Sequence, residues 1–252
     1  MTIPENVTIL GSGAKNLVII PGLSVTRVGG DPSVLKKPFG VFLEDFTVYF
    51  MDRRDEIPEG CTSADLAEHV WEDMQACGVA EAGVIGVSQG GMIAQFLAAN
   101  HPGAVSGLVL AATIPHGNPV SDATFDTWMA LTREGRYRDL NHDMFSRIYS
   151  PEFLENNASA IAYAEKVMRP DDDERFLRLT GACRSHDADA VLGRIKCPAL
   201  VAGGRRDAVL SYRGSEELAS VLGCRLLSYD DSGHAFYDEI PGFYHEAYDF
   251  LK

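Results

Sequence analysis

The stretch GVIGVSQGGMIAQFLAA (Gly83–Ala99) decides the reading of this chain. Gly83–Val87 is a short apolar run that suits a strand buried on both faces. Ser88-Gln89-Gly90-Gly91 follows at once, and Met92–Ala99 continues as an apolar stretch of helical length. A serine is thus placed between strand and helix, with Gly86 two residues before it and Gly90 two after. A turn this sharp strains the backbone, and strand and helix approach closely only where glycine is present. The turn lifts the Ser88 hydroxyl above the sheet edge and points a helix N-terminus at it. This context, more than the G-x-S-x-G spacing, makes Ser88 a candidate nucleophile rather than an N-cap serine in a glycine-rich turn.

Outward from that point the chain alternates strands and helices. Val7–Leu10, Leu17–Ile20 and Phe46–Phe50 read as strands, with GSGAKN (residues 11–16) as a hairpin turn between the first two. A dinucleotide-binding loop would need a glycine at position 16 and a helix beyond it; Asn16 and a further strand follow instead. Thr62 and Ser63 offer an N-cap to a helix whose stripe is Leu66, Val70 and Met74, ended by Gly78. Gly107–Ala112 is the next buried strand. From about His116 to Cys183 no strand pattern occurs, and helical segments succeed one another with breaks near Gly135, Pro151 and Pro170. Strand character returns at Pro198–Gly203 and Cys224–Tyr229, with a helix near Ser215–Leu222 between them and a last helix over Phe243–Leu251. The expected class is α/β: a mostly parallel central sheet flanked by helices, its core in residues 1–115 and 184–252, with a helical insertion over 116–183.

A serine hydroxyl needs a base, and the base needs an orienting carboxylate. Of seven histidines, His234 is set apart. It lies in Asp231-Ser232-Gly233-His234, a loop after the last strand, where the preceding glycine lets the imidazole swing over the sheet edge. Asp207 lies three residues past PALVAGG (198–204), at the C-terminal end of a buried strand where such sheets place functional groups. Asp230 and Asp231 would need a tight fold-back, and Asp187 lies before a strand, at the wrong edge. A developing oxyanion needs donors. The backbone N–H of Gln89 and that of Leu23, in the loop Ile20-Pro21-Gly22-Leu23-Ser24, are the candidates. The Ser24 hydroxyl either touches substrate or closes its own turn. His116, just past Gly107–Ala112, is an outside candidate for substrate contact.

Composition narrows the partners. With 22 basic and 36 acidic residues the net charge is −14, which disfavours phosphate backbones and anionic membranes. Five widely spaced cysteines without a C-x-x-C read as reduced thiols in a cytoplasmic protein. The first residues lack a signal-peptide pattern, and no apolar run is long enough to span a bilayer. No metal-ligand motif is found: His245-Glu246 begins an H-E pair, but Asp249 stands where the second histidine would be. The expected partner is a small-molecule substrate without a cofactor, and a homodimer is compatible with the chain.

VIIPGLS (18–24), GVIGVSQGG (83–91), LVLAATIP (108–115), PALVAGGRRD (198–207) and DSGHAFYDEIPGFY (231–244), in this order, resemble the α/β-hydrolase family over nearly the whole length. The likeness is to its lidded members related to small esterases. It implies Ser88 as nucleophile, Asp207 as acid and His234 as base, and it makes the insertion a lid. Serine at the turn argues against the branches that use Asp (haloalkane dehalogenases, epoxide hydrolases) or Cys (dienelactone hydrolases) there. One departure is Pro21-Gly22 where many relatives carry His-Gly. The implied activity is hydrolysis of a small carboxylic ester. Lactonase, thioesterase, carbon–carbon hydrolase, perhydrolase and acyltransferase chemistry stay open on the same residues, as does a slow-turnover receptor.

Overall fold

The computed structural model describes residues 3–29 and 31–252. Seven strands form one sheet: β1 (Val7–Leu10), β2 (Lys15–Ile20), β3 (Phe46–Met51), β4 (Ala82–Val87), β5 (Val105–Ala111), β6 (Ala199–Gly204) and β7 (Arg225–Tyr229). Their spatial order is β1-β3-β2-β4-β5-β6-β7. Every pairing is parallel except β1 with β3. The helices among the described residues are α1 (Pro32–Phe39), α2 (Ser63–Ala76), α3 (Gln89–Asn100), α4 (Pro119–Arg133), α5 (Tyr137–Ile148), α6 (Pro151–Asn156), α7 (Ala158–Val167), α8 (Asp173–Arg184), α9 (Asp189–Leu192), α10 (Tyr212–Leu222), α11 (Phe236–Glu239) and α12 (Phe243–Leu251).

Each central strand is buried on both faces because alternate residues serve two cores. Val18, Ile20, Val84, Leu108, Leu110 and Val201 pack against Leu66, Val70 and Met74 of α2 and Ile93 and Leu97 of α3. Leu17, Ile19, Ile85, Val87 and Val109 pack on the other face against Leu35 and Phe39 of α1 and Phe243 and Ala247 of α12. Thr62 caps α2 with a reciprocal bond from Asp65, as the sequence pattern predicts.

The hairpin expected at GSGAKN is not formed. β1 pairs antiparallel with β3, and β3 lies between β1 and β2. The connecting loop instead crosses the end of β3: a Cβ at Gly13 would lie 2.1 Å from the Asp45 backbone. Local turn chemistry cannot reveal that a strand's partner lies some forty residues downstream.

Between β5 and the short helix α9 that precedes β6, the chain runs through α4–α8. Phe125, Trp128, Leu140, Met144 and Phe176 form a separate cluster there with Val25, Met92 and Ile114. The ends of this excursion meet in an antiparallel bridge between His116 and Asp187, braced by the Gly117 N–H donating to the His186 carbonyl at 3.1 Å. All five cysteines are free. Among the described residues no helix is long and apolar enough to cross a membrane.

Candidate active site

β4 ends at Val87, and Ser88 stands between it and α3 with φ 54° and ψ −117°, a left-handed conformation that a non-glycine residue rarely adopts. Four bonds hold it there. Its N–H donates to the Ala111 carbonyl at 2.9 Å, and its carbonyl accepts from Gly91 N at 2.9 Å, Met92 N at 3.1 Å and Thr113 Oγ1 at 2.9 Å. The flanking glycines are required by space. A Cβ at Gly86 would lie 2.5 Å from the Gly90 carbonyl oxygen, and one at Gly90 would lie 1.9 Å from that of Ile20.

Ser88 is 8% exposed. Its Oγ lies 3.0 Å from His234 Nε2, and His234 Nδ1 lies 2.8 Å from Asp207 Oδ2. A carboxylate only accepts, so the ring proton resides on Nδ1 and Nε2 is left to accept from the hydroxyl. The other oxygen, Asp207 Oδ1, accepts from the amides of Val209 at 2.8 Å and Leu210 at 2.9 Å. Burial works to raise the Asp207 pKa, but His234 and the two amides outweigh it and hold the carboxyl below the usual range. The loop bearing His234 reaches this position because β6 ends in glycine. A Cβ at Gly204 would fall 2.1 Å from the Gly233 carbonyl oxygen. The Ala235 N–H then anchors the loop on the Ile148 carbonyl at the end of α5.

The loop after β2 lies against the serine. A Cβ at Gly22 would be 3.3 Å from Ser88 Cβ and 3.8 Å from Oγ. The N–H groups of Leu23 and Gln89 take no backbone acceptor among the described residues. The Gln89 amide is the first of α3, where no helical partner exists. The Gln89 side chain turns away, donating from Nε2 to the Leu179 carbonyl at 2.8 Å and so tying α8 to the turn.

Sequence reasoning missed Arg53. It follows β3, is 5% exposed, and donates to the Pro21 carbonyl at 2.5 Å and to the Gly22 carbonyl. It is what supports the Pro21-Gly22 loop in the absence of a histidine there. Arg175 of α8 donates in turn to the carbonyls of Arg53 at 2.9 Å and Arg54 at 3.0 Å. The signal was the pair Arg53-Arg54 at the C-terminal end of an early strand, where an exposed loop would be the ordinary expectation.

A cleft of about 320 Å³ opens beside the serine, lined by Gly22, Leu23, Ser24, Val87 and a group of aromatic rings. Ser24 lines it, while its Oγ accepts from the Thr26 N–H at 3.4 Å, so the residue faces the cleft and closes its own turn. The structure does not bring His116 to this cleft. Its ring is held at the foot of the insertion by Asp189 at 2.9 Å, with Glu217 at 3.8 Å, and those carboxylates raise its pKa. A larger cleft, about 660 Å³, lies at the opposite sheet edge by Lys15, Glu81 and Pro198. Among the described residues no group of three His, Cys, Asp or Glu side chains is arranged to hold a metal.

Fold and site together define an α/β protein with a buried hydroxyl–imidazole–carboxylate relay at the C-terminal sheet edge. A family model for the alpha/beta hydrolase fold matches residues 44–241, and the chain belongs to that family. A protein named "Putative carbamate hydrolase RutD" from Rhizobium rhizogenes is 24% identical over 87% of this chain and 85% of its own. A pimeloyl-[acyl-carrier protein] methyl ester esterase from Chromobacterium violaceum is 31% identical over 55% of this chain and 57% of its own. The crystal structure of the enol-lactonase from Burkholderia xenovorans superposes with a TM-score of 0.83 at 24% identity, covering 97% of this chain and 95% of that one.

Proposed function

We propose that this hydrolase-family chain is a serine hydrolase that cleaves a small carboxylic ester through an acyl-enzyme. The observation that carries the reading is the unbroken chain from Asp207 through His234 to a strained, buried Ser88. In the forward step His234 Nε2 takes the hydroxyl proton as Ser88 Oγ bonds to the ester carbonyl carbon. The tetrahedral oxyanion lies toward the Leu23 and Gln89 N–H groups. The proton passes from His234 to the leaving alkoxide, which departs as alcohol. Water then enters, His234 takes its proton, and the acid leaves as Ser88 regains its hydrogen. Asp207 keeps the imidazole in the reactive tautomer and stabilises its charged form.

The cleft is at the small end of ligand sites, about 300–1,000 Å³, which favours a short acyl group. In this reading residues 1–115 and 184–252 form the hydrolase core and residues 116–183 form a cap over the cleft. A carbamate is the second reading. It is favoured by the relative from Rhizobium rhizogenes, which covers most of the chain, and it needs the same attack on a carbonyl carbon. Initial rates on p-nitrophenyl esters of increasing chain length, with Ser88→Ala alongside, test the proposal. Turnover that peaks at a short chain and is lost in the variant is expected. Turnover that survives the variant would overturn it.

A further inference from the structure

Five aromatic rings line the cleft beside Ser88: Phe39, Phe50, Tyr149, Tyr237 and Tyr244. Among the described lining residues one carries a charge, and it is Asp238. Its carboxylate has no hydrogen bond or ion pair among the described residues, whereas its neighbour Glu239 is engaged by the Ser150 N–H at 2.9 Å and by the Ser150 hydroxyl. The neighbouring Glu239 carboxylate works against the ionisation of Asp238, and among the described residues no arginine or lysine forms an ion pair with it. Lys37 lines a second cleft that Asp238 also borders, without an ion pair between the two. Asp238 lines the cleft beside Ser88 together with Tyr149, Tyr237 and Tyr244. Tyr237 in turn stands edge-on to the His234 ring, with centroids 6.4 Å apart.

Asp238 is exposed at the rim of the cleft, and its unpaired carboxylate attracts a cation that enters beside it. Aromatic faces attract the same cation and repel anions. Both features favour one ligand charge, and the net charge of −14 adds to it at long range. We propose that Asp238 and the surrounding rings form an ammonium-binding subsite, so that this enzyme prefers esters whose acyl portion carries an amine or quaternary ammonium group. The inference rests on the ester-hydrolase reading for its chemistry. Although Asp238 reaches solvent, desolvation by the groups packed around it raises its pKa to about 6, with Glu239 adding and His234 opposing, so the carboxyl is ionised at pH 8.

The test uses three p-nitrophenyl esters: that of γ-(trimethylammonio)butyric acid, that of its neutral tert-butyl isostere, and the monoester of glutaric acid. Rates at pH 8 are divided by each ester's rate with hydroxide, which removes intrinsic reactivity. The cationic ester is expected to exceed the neutral isostere by about tenfold in kcat/KM, with the anionic ester slowest. Asp238→Asn should reduce the cationic-to-neutral ratio by most of that factor, and Asp238→Glu should keep its direction. A wild-type ratio near one, or a preference that survives Asp238→Asn, overturns the subsite and leaves the ester reading standing. If no ester is turned over, the ester reading fails and calorimetry decides the subsite separately. Ser88→Ala protein is titrated with the methyl esters of the cationic acid and its neutral isostere. Tighter binding of the cation supports the subsite; equal or weaker binding overturns it.

Discussion

The peptide joining Gly22 to Leu23 has two ends with different tasks. Its carbonyl accepts from the buried guanidinium of Arg53, and its N–H is the proposed oxyanion donor. A cation at the carbonyl end fixes the peptide plane and polarises the N–H at the other. Replacing Arg53 by Met should lower kcat on a short ester about 10- to 100-fold with little change in KM, since a transition-state donor is weakened rather than the ground-state site. Arg53→Lys should recover part of the loss. Steady-state kinetics with thermal melts of each variant check this: a lowered Tm with kcat intact would assign Arg53 to stability alone. Asp207→Asn preserves shape but removes the acceptor that fixes the His234 tautomer, and kcat should fall on the order of 10⁴-fold. Rates within a factor of a few of wild type would remove Asp207 from the mechanism.

At the scale of elements, the insertion is tied to the site from several sides. Ile148 of α5 holds the His234 loop, Leu179 of α8 holds the Gln89 side chain, and Arg175 of α8 holds the strand end that carries Arg53. His186 marks where the insertion returns. It is buried, its Nε2 bonds the Ile114 carbonyl at 3.1 Å, and its ring stands edge-on to Phe96. Burial lowers its pKa from 6.5 to about 4. Between those values the unfolded chain binds the proton and the folded chain does not, so stability falls as pH falls from about 6.5 toward 4. The loss from this group should reach about 2 kcal/mol at pH 5. Urea unfolding at pH 7 and pH 5, compared with His186→Gln, measures it; equal pH dependence in the two proteins would exclude His186 as the source.

These elements also show what a sequence discloses. The turn at Ser88, the Thr62 cap, and the strands around Val84 and Leu108 were legible because their signals are local: a glycine spacing, a capping pattern, an apolar run bounded by breakers. Asp207 and His234 were legible because each lies just past such a run. The partner of β1 was not, since pairing across β3 leaves no mark in the GSGAKN loop. Helix α1 was also missed. It is short, begins with Pro32 and contains Pro38, so its stripe reduces to Leu35 and Phe39. Arg53 was overlooked because an arginine after a strand reads as solvated until the fold places two carbonyls against it. His116 was misplaced for the opposite reason: proximity to β5 in sequence did not reveal that the Asp187 bridge draws it to the foot of the insertion.

Over the whole molecule the sheet sets the geometry. Parallel strands β4, β6 and β7 deliver Ser88, Asp207 and His234 to one edge from residues 119 and 27 positions apart, and two cores on opposite faces keep that edge rigid. The relay is thus a property of sheet order as much as of side chains. The claim that it activates Ser88 is tested most directly by covalent capture, which needs no knowledge of the substrate. The protein is treated with a fluorophosphonate probe at neutral pH, digested, and the modified peptide mapped by mass spectrometry. One adduct on Ser88 is predicted, absent in Ser88→Ala and slowed in His234→Ala. No adduct on the wild-type protein, or equal labelling of Ser88→Ala, would contradict the account.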